Sequence, residues 1–268
     1  MRRREFLASS LAASAMTASE SPTTRACGRT ANQSTPAYYE LRQYYLRRGP
    51  QVKLTDDFLR EAAAPAWKRL GIGPVGVFNT MIGSDTPTVY VLIPHLSLDS
   101  VSATTARLQA DPEYQSAGAA FLSVPSTDPA YVRMESALLL AFESIPRLEV
   151  PPGVAENRPR IFELRIYESH SEKAHLKKVE MFNNAEIAIF RRTGLRPVFF
   201  GRTLIGSKLP NLTYMLTFDD MAAHDKNWAV FIADPEWKKL STTPGYTDGE
   251  IVSNISNAFL TPTPYSQL

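Results

Sequence analysis

The sequence predicts an α+β protein built from two tandem ferredoxin-like βαββαβ units. Three observations predict it: the 268-residue chain repeats itself at an offset of 123, both copies spell strands and helices in the same order, and a Pro-rich joint separates them. Four ordered blocks carry the duplication. Tyr39-Glu40-Leu41-Arg42-Gln43-Tyr44 matches Phe162-Glu163-Leu164-Arg165-Ile166-Tyr167, and Arg69-Leu70-Gly71 to Val75 matches Arg192-Thr193-Gly194 to Val198. Ile82-Gly83-Ser84 matches Ile205-Gly206-Ser207, and Ala110-Asp111-Pro112-Glu113-Tyr114 matches Ala233-Asp234-Pro235-Glu236-Trp237. Tyr90 aligns with Tyr214 one residue out of step, which calls for an insertion and a deletion that cancel.

Residues 38–46 alternate and are rich in Tyr, so they form a strand. Phe58, Leu59, Ala62, Ala63, Trp67 and Leu70 recur at helical spacing before Gly71, with Pro65 expected to kink or interrupt the helix. The second copy places Leu176, Val179, Phe182, Ile189 and Phe190 likewise, with Ser169 and Glu172 as a capping box and Gly194 as the stop. Residues 75–82 and 88–93 are strands around a Gly-Ser-Asp turn, repeated at 198–205 and 212–218. Asp111-Pro112-Glu113 starts a helix with an Asp cap and Pro in the first turn, as does Asp234-Pro235-Glu236. Residues 131–142 and 251–260 supply the last strands. The domain plan is a leader and linker over 1–36, a first unit over 37–145, a joint over 146–159 and a second unit over 160–268.

Composition excludes several function classes. The formal charge of +2 is that of Arg2, Arg3 and Arg4 against Glu5, so the body is neutral and a nucleic-acid partner is not expected. One cysteine, Cys27, allows neither a disulfide framework nor a thiolate metal cluster. No apolar run reaches the length of a bilayer span, so no transmembrane helix is expected in the mature chain. The amino terminus reads as a signal peptide, with a basic start and a short Ala/Ser-rich stretch. Its Arg3-Arg4-Glu5-Phe6-Leu7 resembles the bacterial twin-arginine export signal, which implies a periplasmic or extracytoplasmic location. Thr24-Arg25-Ala26 before Cys27 is a poor lipidation motif.

The Phe162 to Tyr167 block, the Gly194 to Ser207 segment and Asp234-Pro235-Glu236-Trp237 resemble the NIPSNAP family, over roughly residues 37 to 260. That resemblance implies the dimeric α+β barrel superfamily, here with both units on one chain so that the barrel closes within a monomer. A further homodimer stays open. The superfamily includes monooxygenases, haem-binding enzymes and lactone isomerases, which implies a small-molecule ligand and makes haem or flavin the cofactors to look for.

Alternation gives Glu40, Arg42 and Tyr44 one face of their strand, and Glu163, Arg165 and Tyr167 the same face of its counterpart. With Phe162, Leu164 and Ile166 packed on their own helices, the two Glu-Arg-Tyr sets are expected to turn inward between the sheets. There they would bind a polar or anionic head group, or else pair internally and satisfy buried charge. Tyr90 and Tyr214 on a neighbouring strand line the same space or pack in the core. Among His95, His170, His175 and His224 no metal spacing appears, and His170 or His224 is the candidate haem ligand. Gly71-Ile72-Gly73-Pro74-Val75-Gly76 spells a dinucleotide fingerprint but follows a helix and opens a strand, the reverse of what a pyrophosphate requires. No serine nucleophile elbow, Walker loop or zincin motif is present. The expected function is an exported protein binding a small, partly apolar molecule between its sheets, as a monooxygenase- or isomerase-like enzyme. The alternative is a non-catalytic interaction or scaffold protein of the cell envelope.

Overall fold

The computed structural model describes residues 35–268, so the stretch expected to be an export signal, and Cys27, lie outside the described residues. Eight strands close into one barrel in the order β1-β3-β2-β8-β5-β7-β6-β4. In the first repeat β1 (Tyr38–Tyr45) is central, flanked by β3 (Thr88–His95) and β4 (Arg133–Ala141), with β2 (Gly76–Ile82) beyond β3. The second repeat copies this with β5 (Ile161–Glu168), β6 (Arg196–Ile205), β7 (Asn211–Phe218) and β8 (Asn254–Pro262). The units join edge to edge: Thr80 of β2 pairs with Leu260 of β8, and Leu140 of β4 pairs with Arg202 of β6. This leaves neither sheet an unpaired edge.

Helices cover the outside of the barrel. In the first repeat α1 (Pro50–Phe58) and α2 (Ala64–Arg69) follow β1, and α3 (Leu98–Gln109), α4 (Pro112–Ala117) and α5 (Ala119–Leu122) follow β3. In the second, α6 (Glu172–Met181) and α7 (Ile187–Arg192) follow β5, with α8 (Met221–Ala233), α9 (Pro235–Ser241) and α10 (Asp248–Ile251) before β8. Among the described residues no helix is long and apolar enough to cross a membrane.

Both long helices contain a π-turn at equivalent places, Leu59–Ala63 and Phe182–Glu186. Ala188 stands where the first repeat has Pro65, so the proline does not cause the turn. It occupies the second residue of α2, just past a break in the regular hydrogen-bond ladder, where its missing N–H is tolerated. The expected Ser169 cap moves two residues on: Ser171 accepts from Ala174 N, while Ser169 donates to Ile251 O at 2.7 Å. Asp111 and Asp234 cap α4 and α9 as expected, and each also takes an arginine from the end of the preceding long helix, Arg69 or Arg192.

The barrel interior is filled by the chain's own side chains. Tyr39 and Leu41 meet Phe162 and Leu164 there, with Phe78, Leu92, Leu139, Phe199 and Met215. Phe78 packs edge-on to Phe162 at 4.8 Å, and Tyr39 on Phe199 at 5.2 Å. The expected facing is therefore inverted. Phe162 and Leu164 point inward, whereas Tyr44 and Tyr167 join the two outer layers between sheet and helices. Both faces of each sheet are buried, so alternation separates two sets of residues without saying which set faces in.

Candidate functional site

The two Glu-Arg-Tyr sets do not meet. Each lies under the helices of its own repeat, outside the barrel wall and on opposite sides of the barrel. Tyr90 points into the barrel and lines a small cavity of about 170 Å³ at one end with Gln43 and Tyr45, its hydroxyl pushed up to about 12 by burial. Tyr214 is on the helix side, opposite Arg165. Strand pairing explains the misalignment: Arg42 opposes Val91 as Arg165 opposes Tyr214, so Val91 is the counterpart of Tyr214 and the offset of 123 holds without a gap.

In the first repeat Glu40 accepts from Arg42 Nε at 2.6 Å and from the Ser136 hydroxyl at 2.8 Å. Burial works against this carboxylate's charge, yet Arg42, Ser136 and His95 hold it below the usual range. Aromatic rings fill the space beneath the helices. Phe58 stacks on Phe121 at 4.0 Å, Tyr44 meets Phe121 and Tyr131 edge-on, and Arg42 lies 5.9 Å from the Trp67 ring.

The second repeat leaves a cavity of about 360 Å³ in that layer. Glu163, Arg165 and Tyr167 form its floor, and α8 roofs it with His224, Trp228 and Phe231. Glu163 is fully buried. Its Oε1 accepts from Arg165 Nη1 at 2.6 Å and Asn257 Nδ2 at 3.0 Å, and its Oε2 accepts from Trp228 Nε1 at 2.9 Å with His224 Nε2 3.3 Å away. A carboxylate taken out of water needs such a donor set. Asn257 stands opposite Arg165 on β8 as Ser136 stands opposite Arg42 on β4, so both repeats draw a donor from the same register. Arg165 also stacks 4.7 Å from the Trp228 ring and donates to the Tyr167 hydroxyl at 3.1 Å.

A buried ion pair closes one wall. Lys178 Nζ lies 3.3 Å from Glu186 Oε2 and 3.6 Å from Asp248 Oδ1, with the Phe182, Tyr167 and Trp237 rings within 5.8 Å. Burial alone would pull the lysine down, but Glu186, Tyr167 and Asp248 together hold it above its ordinary value, so it stays charged. Burial pushes Glu186 upward, opposed by the Lys178 ammonium. The sequence reading missed Lys178, Glu186, Trp228 and Asn257. Two of them carried a signal, because Thr55 and Ala63 stand at the equivalent places and the second copy alone has charges there.

Of the candidate haem ligands, His224 does not fit that role. Both nitrogens of His224 face carboxylates, Nδ1 at 2.8 Å from Asp225 and Nε2 at Glu163. His170 lines a separate groove of about 680 Å³ beside α6. Among the described residues no cluster of three or more His, Cys, Asp or Glu could hold a metal ion.

A profile of the NIPSNAP family matches residues 39–144 and 162–267, one match on each repeat. The chain belongs to the NIPSNAP family. Among solved structures, this NIPSNAP protein is similar to a candidate monooxygenase from Lactobacillus acidophilus NCFM, at 9% identity, 85% coverage of this chain, 94% of that one and a TM-score of 0.57. A second candidate monooxygenase, from Fusobacterium nucleatum, matches at 9% identity over 85% and 93% of the chains with a TM-score of 0.53. An uncharacterized NIPSNAP-like domain protein from Burkholderia xenovorans is 24% identical over 41% of this chain and 90% of its own, with a TM-score of 0.37. The full-length likenesses show the α+β barrel fold, which this NIPSNAP chain completes with its own two repeats. No curated protein matches the chain.

Proposed function

We propose that this NIPSNAP protein binds a small, partly apolar molecule in the sheet–helix cavity of its second repeat and acts on it by proton transfer, as an isomerase-type enzyme. One observation carries the reading: a fully buried carboxylate, Glu163, held by Arg165, Asn257 and Trp228 at the floor of a cavity that also exposes His224 and Tyr167. Such a set can hold a polar head and move a proton, while Phe231, Ile232 and Trp237 receive an apolar body. Monooxygenase chemistry, named for two solved proteins of the fold, is the other enzyme class the cavity would serve. A non-catalytic scaffold role is the second reading, favoured by the filled barrel and by Val230 and Ile232 exposed on α8. The Arg3-Arg4-Glu5-Phe6-Leu7 start supports export to the periplasm by the twin-arginine route.

The test is a native mass spectrum and absorption spectrum of the mature chain purified from its own cell envelope. A reproducible extra mass that Arg165→Met abolishes supports binding. That variant leaves Glu163 its Asn257, Trp228 and His224 partners and is expected to fold. A clean apo mass, or retention that survives Arg165→Met, would overturn the site, and a chain recovered only from the cytoplasm would overturn export.

A further inference from the structure

The hydroxyls of Tyr167 and Tyr214 and the Arg165 guanidinium form a directed chain whose role rests on the binding reading. Tyr214 Oη lies 3.2 Å from Tyr167 Oη, and Arg165 Nη2 lies 3.1 Å from the same Tyr167 oxygen. Arginine can only donate, so Tyr167 accepts that bond. Tyr214 is fully buried, and among the described residues Tyr167 is the one partner of its hydroxyl. If Tyr167 donated to Tyr214, the Tyr214 proton would sit buried with no acceptor, at the full desolvation cost of an unpaired donor. If Tyr214 donates, its buried proton has the Tyr167 oxygen as acceptor. Burial holds the Tyr214 phenol well above its ordinary value, so it keeps the proton this arrangement requires.

Tyr167 therefore accepts two hydrogen bonds and has its own proton left over. No described protein group takes that proton, and Tyr167 lines the cavity. Two incoming donors polarise the O–H and strengthen it as a donor. Lys178 Nζ lies 5.5 Å from the centre of the Tyr167 ring, so a second cation adjoins this side chain. The first repeat lacks the relay, because Val91 occupies the place of Tyr214.

We propose that Tyr167 is an oxyanion-binding donor and that the ligand is a conjugated, largely apolar molecule bearing an acidic oxygen, a phenol or the enol of a carbonyl compound. Its negative oxygen takes the Tyr167 proton in a hydrogen bond, beside Arg165. Its flat body lies along Trp228 and Trp237. Tyr214 acts as a positioning residue that fixes the direction of the Tyr167 O–H.

The test is titration of the purified full chain with 4-nitrophenolate, followed by the absorption band of the bound probe. One probe per chain with a displaced band is expected. Tyr167→Phe should weaken binding about ten- to a hundredfold, the worth of one hydrogen bond to a charged oxygen. Tyr214→Phe keeps the Tyr167 donor but removes its polarising partner, so it should weaken binding less and still move the band. Undiminished binding to Tyr167→Phe, or a Tyr214→Phe band identical to the parent's, overturns the proposal. Failure of the parent chain to bind the probe also overturns it, while a retained molecule in the native mass spectrum would leave the binding reading standing. Loss of both would sink the two together.

Discussion

His224 Nε2 stands 3.3 Å from Glu163 Oε2, and the first repeat brings a histidine to its own glutamate from an unrelated position, His95 Nε2 lying 3.9 Å from Glu40 Oε2. His224 comes from α8 and His95 from the end of β3, where the second repeat has Phe218. The two differ in access. His95 is sealed, its Nδ1 at 3.0 Å from the Ser100 hydroxyl and its Nε2 without a hydrogen bond, whereas His224 lines the open cavity.

That sealing sets a pH dependence. Burial, with Arg42 adding to it and Glu40 opposing, holds His95 below its ordinary 6.5, and burial does the same to His175. A histidine with a depressed folded pKa stabilises fully above the unfolded value and loses that stability as pH falls through it. Glu40, also held low, adds a further loss below about 4.5. The melting temperature is expected to drop between pH 7.5 and 5.5, and His95→Gln should remove part of that slope. Equal slopes in parent and variant would refute the assignment.

The Lys178–Glu186 pair is predicted to be costly to break and cheap to replace. Lys178→Met strands a buried carboxylate and should cost about 3–5 kcal/mol, whereas Lys178→Met with Glu186→Leu should fall near the parent's stability. Thr55 and Ala63 already show that the fold tolerates uncharged residues at these positions. Denaturant unfolding of the singles and the double closes the cycle, and additive losses would contradict it.

Phe162→Ala distinguishes a packed barrel from a ligand channel. The ring is fully buried against Phe78, so its loss should cost about 3–5 kcal/mol. Since it lies across the sheet from the cavity, ligand retention is expected to persist. Lost retention in a variant that still melts cooperatively would return the site to the barrel interior.

Much of the fold was legible because duplication writes each element twice. Strand β1, the caps Asp111 and Asp234, and the βαββαβ order all follow from local pattern, since turn chemistry and periodicity act within a few residues. The sequence also singled out Glu163, Arg165 and Tyr167, which do gather at one cavity. It could not orient them. A strand buried on both faces has no wet side, and only barrel closure decided that Phe162 faces in and Glu163 faces the helices. Nor could it pair Tyr214 with Tyr167, because strand register is a long-range choice. What the amino-acid order determined alone was two βαββαβ units and a buried charge set in each. Tertiary structure decided that the second set floors an open cavity, because α8 brings Trp228 and His224 to Glu163, while rings from α1, α2 and α5 pack beside the first.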